Sequence, residues 1–151
     1  MLACTFFGHK DCPETKYSNI LQAIQNLITK KNITTFYVGT QGNFDSLVYR
    51  ALCCLRADFP QIRIYRVLAY MTKGNDTIPD STLPEGIEFV HPRYAIDWRN
   101  RWMIERSDYV IDYVTHNFGR AAKYVNEAKR KEKNIPQIKT NVFFCVIIRV
   151  S

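Results

Sequence analysis

The sequence predicts an α/β domain of three layers, a mostly parallel central sheet covered by helices on both faces. Three observations carry that prediction. Short β-branched and aromatic runs alternate with apolar stripes at helical spacing, several runs empty into glycine-containing turns directly before a helix, and no linker, repeat or low-complexity segment divides the 151 residues. Such alternation makes parallel strands joined by crossover helices the economical architecture.

The first run, Leu2 to Phe7, ends at Gly8 and feeds a polar loop, His9-Lys10-Asp11-Cys12-Pro13. Ile20, Leu21, Ile24, Leu27 and Ile28 then form a helical stripe that closes near Lys31-Asn32. The second run, Thr35 to Val38, stops at Gly39, with Thr40, Gln41 and Gly42 behind it. Phe44, Leu47, Val48, Ala51, Leu52 and Leu55 predict a helix from Phe44 to Ala57, with Asp45 in its first turn. A strand passing through glycines into a helix start aims backbone N–H groups and the positive end of a helix dipole at one place, which suits phosphate or carboxylate. Asp45 can cap that helix or accept a ribose hydroxyl. The spacing, G-x-x-G-x-x-D, is neither the dinucleotide fingerprint nor a P-loop, since no Gly-Lys-Ser/Thr follows.

Ile62 to Tyr70 predicts a third strand, and the polar stretch from Lys73 to Gly86 has the length of a lid or binding loop. Ile87 to Val90 reads as a short fourth strand. Trp98, Trp102 and Met103 then share helical spacing, the tryptophans as core or subunit-contact residues, while Arg93, Arg99 and Arg101 read as surface charges or partners of nearby carboxylates. A fifth strand, Tyr109 to Val114, opens onto Thr115-His116-Asn117-Phe118-Gly119-Arg120, and Ala121, Ala122, Val125 and Ala128 mark the helix behind it. Asn141 to Val150 predicts a sixth strand.

Composition limits the function classes. Lys and Arg total 21 against 14 Asp and Glu, a formal charge of +7 that attracts anionic partners. Part of that excess, Lys123, Lys129, Arg130, Lys131, Lys133 and Lys139, reads as a solvated helix face. Cys4, Cys12, Cys53, Cys54 and Cys145 form no C-x-x-C pair, which speaks against a disulfide framework or a zinc ribbon. Cys12 lacks an activating neighbour in sequence and reads as inert. The N-terminus has neither a basic n-region nor a signal-length apolar stretch, and Val142 to Ile148 falls far short of the ~20 residues of a membrane span, so the expected location is the cytoplasm, without membrane association. A Ser-His-Asp arrangement, a metal site and paired glycosidase carboxylates find no support.

In an open α/β sheet, ligands settle beyond the carboxyl ends of the strands. The loops that qualify supply Gly8, His9 and Lys10; Gly39, Thr40, Gln41, Gly42 and Asp45; Tyr70 with the stretch after it; and Thr115, His116, Gly119 and Arg120. Glycines allow close backbone approach, Lys10 and Arg120 suit anionic oxygens, Asp45 a hydroxyl, and His9 and His116 hydrogen bonds near neutral pH. Either histidine can equally cap a turn.

The segments Cys4 to Pro13, Phe36 to Asp45, Val67 to Tyr70, Pro84 to Ile87, Trp98 to Met103 and Ser107 to Val110 resemble, in collinear order, the bacterial YpsA-like proteins of the SLOG superfamily, named after the DNA-processing protein DprA/Smf and the LOG phosphoribohydrolases. The similarity covers residues 2–131 of what reads as a single domain over 1–151, and the tail 132–151 diverges. It implies a Rossmann-like fold that recognises a nucleotide, ADP-ribose or a related phosphorylated ligand. Family motif positions fall on Gly8, His9, Lys10, Gly39, Gln41, Gly42, Asp45, Thr115, His116 and Gly119. Relatives commonly carry arginine where Lys10 stands, and the P-G-G-x-G-T-x-x-E signature of phosphoribohydrolases is absent, so their catalytic glutamate has no counterpart here.

Those readings predict a nucleotide-binding sensor or accessory domain, self-associating through the Trp98/Trp102 helix. The alternative is a hydrolase of an N-glycosidic bond, with Asp45 and His116 as its working groups. Nucleic-acid binding through the basic C-terminal helix ranks third, because base-reading aromatics and a nucleic-acid motif are missing from the sequence.

Overall fold

The computed structural model describes residues 2–71, 78–113, 123–127 and 146–148. The strands β1 (Ala3–Gly8), β2 (Thr35–Val38), β3 (Arg63–Val67), β4 (Ser81–Thr82), β5 (Tyr109–Tyr113) and β6 (Val146–Ile148) form one sheet in the order β4-β3-β2-β1-β5-β6. All neighbours pair in parallel except β5 and β6, which are antiparallel. The chain steps outward from β1 to β4, then returns to lay β5 on the far side of β1. That reversal places the switch point between β1 and β5, where Gly8 pairs with Tyr113.

Both faces are covered, because β1 alternates its side chains between two cores. Cys4 and Phe6 pack with the helices α1 (Tyr17–Lys31) and α2 (Asn43–Asp58), whose buried stripes are Ile20, Ala23, Ile24, Leu27 and Ile28, and Phe44, Leu47, Val48, Ala51, Leu52 and Leu55. Phe7 packs with Met103 and Ile104 of α3 (Ala95–Glu105) and with Tyr124 and Val125 on the other face. The same alternation in β2 sends Phe36 and Val38 to the first core and Tyr37 to Trp102, ring centroids 5.5 Å apart. α1 ends where the sequence predicts: Asn32 takes the left-handed conformation, φ 55°, that asparagine tolerates at a helix C-cap. Trp98 and Trp102 are half-buried within their own chain.

Three expectations change. Ile87–Phe89 is a 3₁₀ turn rather than a strand. The slot beside β3 is taken by Ser81 and Thr82 instead, and only Ile87 of the turn is buried. The predicted lid is held down at its far end: Tyr49 donates to Asp80 at 2.7 Å, Arg56 forms an ion pair with it at 3.0 Å, and β4 follows directly. Residues 73–77 of that stretch lie outside the described residues. The third strand stops at Val67, three residues before Tyr70. Of the predicted last strand, 146–148 pair with β5.

Candidate nucleotide site

A cavity of about 260 Å³ opens at the carboxyl ends of the strands beside the switch point. Phe6, Phe7, Gly8, His9, Lys10 and Asp11 line it from β1 and the loop after it, Gly39, Gln41 and Asp45 from the β2–α2 turn, Ile96, Arg99, Asn100 and Met103 from α3, and Tyr124 from the 123–127 segment. The turns expected to converge after β1 and β2 thus share one cavity.

The β1 loop is a tight turn. The His9 N–H donates to the Tyr113 carbonyl at 3.2 Å, tying the loop to β5, and the Cys12 N–H returns to the His9 carbonyl at 3.2 Å. Gly8 is required for packing: a Cβ there would stand 2.2 Å from the Phe44 ring, so the first strand and α2 meet only because this position has no side chain. Asn43 anchors the second turn to the first. Its N–H donates to the Lys10 carbonyl at 2.9 Å, and its side-chain amide donates to the Cys12 carbonyl. Gly42 joins them at φ +90°, with Lys10 Cα 2.7 Å from where its Cβ would be.

Asp45 does not cap α2 in the ordinary way. Its Oδ2 reaches back to accept the Gln41 N–H at 2.9 Å, outside the helix. Burial pushes its carboxyl up to about 6, against the lowering pull of the Gln41 N–H, then Arg99 and Arg66. The two amides at Gln41 and Asn43 are therefore committed to protein acceptors, and a carboxylate stands beside them. That is a poorer anion cradle than the glycine spacing predicts, and a better acceptor for hydroxyl donors.

The cationic side of the cavity comes from α3. Arg99, expected at the surface or as the partner of a nearby carboxylate, is 2% exposed and shares the Gly39 position with the Asp45 carboxylate. Its Nε donates to Asn100 Oδ1 at 2.7 Å and its Nη1 to the Val67 carbonyl at 2.8 Å. Carbonyl and amide hold the guanidinium beneath Gly39, which explains how a charged group is kept inside. Tyr124, fully buried, stacks on Phe7 with centroids 5.6 Å apart, and its hydroxyl donates to Asp97 on α3.

Other expected site residues fall elsewhere. Thr40 and Gly42 shape the β2–α2 turn without lining the cavity, and Tyr70 sits outside it, exposed, with its hydroxyl donating to the Pro92 carbonyl at 3.3 Å. Thr115, His116, Gly119 and Arg120 lie outside the described residues. Arg99, Asn100 and Tyr124 escaped sequence reasoning as site residues. The first two had a signal: Ile96, Arg99, Asn100 and Met103 repeat at helical spacing, so one face of α3 carries two polar residues between apolar ones. Cys12 is buried and its thiol is pushed up to about 11, chiefly by burial, as an inert cysteine would be. Among the described residues no group of three or more His, Cys, Asp or Glu could hold a metal ion, and no helix is long and apolar enough to cross a membrane.

Fold and cavity together define a Rossmann-like α/β domain with a polar cavity at its switch point. No family model and no curated protein matches the sequence. Among solved structures, the chain is similar to DNA processing protein A from Helicobacter pylori, a protein described as having a unique single-stranded DNA binding mode, with a TM-score of 0.55 and 13% identity. The match covers 88% of this chain and 63% of that one, so this chain spans under two thirds of its neighbour. The relation is one of fold.

Proposed function

We propose that the domain binds a nucleotide or nucleotide derivative, as a cytoplasmic sensor or accessory protein of the YpsA-like kind. The observation that carries this reading is the shared wall of the cavity, where Asp45 and Arg99 both stand within reach of Gly39. Asp45 accepts sugar hydroxyls, Lys10 and Arg99 face anionic oxygens, Gln41 and Asn100 offer amides, and Phe6, Phe7, Ile96 and Met103 supply apolar wall for a base. In a thermal-shift panel of nucleotides and ADP-ribose, a ligand at about 100 times its Kd raises the melting temperature by roughly 5–10 °C. A flat response across the panel contradicts the reading.

A second reading, hydrolysis of an N-glycosidic bond, draws on the raised carboxyl of Asp45, since a group that titrates near working pH is suited to acid–base chemistry. It requires base and sugar phosphate to appear on incubation with nucleotides, and Asp45→Asn to stop their release. Single-stranded DNA binding through Lys129, Arg130 and Lys131 draws on the fold neighbour instead, and requires affinity that falls steeply with salt. Self-association through the Trp98/Trp102 helix is a separate proposal, checked by sedimentation of a Trp98→Ala variant.

A further inference from the structure

Two opposite charges stand close together in the cavity wall and do not touch. A Cβ on Gly39 would lie 2.8 Å from Asp45 Oδ2 and 3.2 Å from Arg99 Nη1, so both groups border the space over that glycine. Among the described residues no ion pair joins the two, which places them more than about 4 Å apart. Their common distance to one point caps the separation at about 6 Å, the reach of a single oxygen hydrogen-bonded to both.

Each group is held where it is. Asp45 Oδ2 accepts the Gln41 N–H at 2.9 Å, while Arg99 donates to the Val67 carbonyl at 2.8 Å and to Asn100 Oδ1 at 2.7 Å. Closing the gap would draw acid and guanidinium off these partners, so the spacing belongs to the fold. Donor chemistry then names the atom that fits. An ionised carboxylate only accepts and a guanidinium only donates, so a bridging atom has to give a proton to one and take a hydrogen bond from the other. A hydroxyl oxygen does both. A fully ionised phosphate has no proton for Asp45, and the amino group of a base accepts nothing from Arg99. Arg99 also fixes which way the neighbouring amide faces, with Asn100 Oδ1 toward the guanidinium and the donor nitrogen on its other side, in a residue that lines the cavity.

We propose that the gap between Asp45 and Arg99 receives one ribose hydroxyl, with the vicinal hydroxyl beside the Asn100 amide, so that the cavity takes ribonucleotides and rejects their deoxy counterparts. The inference rests on the reading of the cavity as a nucleotide site and narrows that site to a sugar class. A deoxyribose leaves a desolvated carboxylate or amide short of its partner, which costs more affinity than the missing contact alone. An oligodeoxynucleotide, without 2′ hydroxyls, is rejected on the same ground.

Calorimetric titration at pH 7.5 with 5′-ribonucleoside mono- and triphosphates, each beside its 2′-deoxy and 3′-deoxy counterpart, tests it. The ribonucleotide that binds does so at least about fivefold tighter than either deoxy counterpart, and Asp45→Ala shrinks at least one of the two ratios to about twofold or less. A smaller ratio for either counterpart in the wild-type protein overturns the proposal and leaves the cavity reading standing. Both ratios intact in an Asp45→Ala variant that is folded by circular dichroism also overturn it, because the selection then arises elsewhere. No binding of any nucleotide overturns both the proposal and the cavity reading. The wild-type ratios decide by themselves should the variant not fold.

Discussion

Asp45 and Arg99 flank the same glycine: a Cβ on Gly39 would lie 2.8 Å from Asp45 Oδ2 and 3.2 Å from Arg99 Nη1. An acid from α2 and a base from α3, on opposite faces of the sheet, thus meet over the end of β2. Crossover connections bring helices from both faces to the carboxyl rim, and a residue without a side chain lets the two groups approach.

Asp45 sets a pH dependence. Its folded value of about 6 lies above the unfolded 3.8, so the folded state binds the proton more tightly, and stability falls as pH rises through that window. Asp45→Asn therefore raises the melting temperature at pH 7.5, and the gain shrinks toward pH 4. Calorimetric melts of both proteins across pH 4–8 check this. Equal melting temperatures at pH 7.5 contradict it.

Arg99 ties α3 to β3. Arg99→Met leaves the Val67 carbonyl and Asn100 Oδ1 without their donor, and the expected loss is about 2–4 kcal/mol of unfolding free energy. Arg99→Lys recovers part of that loss, because one ammonium cannot reproduce the fork that serves both acceptors. Urea unfolding of the two variants separates these effects; equal stability of the Arg99→Met variant and the wild-type protein would sink the account of α3.

Gly8 is a packing position. Gly8→Ala drives a methyl into the Phe44 ring and costs about 1–3 kcal/mol, or more if α2 cannot shift. Phe44→Leu in the same chain relieves part of the clash, so a double-mutant cycle shows coupling between the two sites. Strictly additive losses contradict the contact.

Thiol labelling reads the burial of the cysteines. Cys54 is exposed, whereas Cys4 and Cys12 are buried with thiols pushed up chiefly by burial. At pH 8 an alkylating reagent reaches Cys54 before Cys4 and Cys12, which react on unfolding. Peptide mapping by mass spectrometry after timed quenching checks the order. Modification of Cys12 ahead of Cys54 in the folded protein would contradict it.

Much of the scaffold is legible in the sequence because periodicity reports burial. The stripes of α1 and α2, the strands up to Val38 and the stop at Gly39 follow from apolar spacing and from glycine. Pairing is less legible: Ile87 to Val90 has strand-like composition, yet Ser81 and Thr82 take the edge, since register and neighbours decide which segment pairs. In the site, the turns carrying His9 and Gln41 were readable from glycine and polarity. Arg99 was not, because a charged residue on a helix looks like solvated surface until the carbonyl that holds it is known, and Val67 is distant in sequence.

The central claim is that the cavity between the β1 loop, the β2–α2 turn and α3 receives a nucleotide-type ligand. Its most direct test is an amide correlation NMR titration of the isotope-labelled protein with nucleotides and ADP-ribose. The account predicts saturable shifts clustered at Gly8, His9, Lys10, Gly39, Gln41 and Asn100. Unchanged spectra at millimolar ligand, or shifts confined to other surfaces, would contradict it.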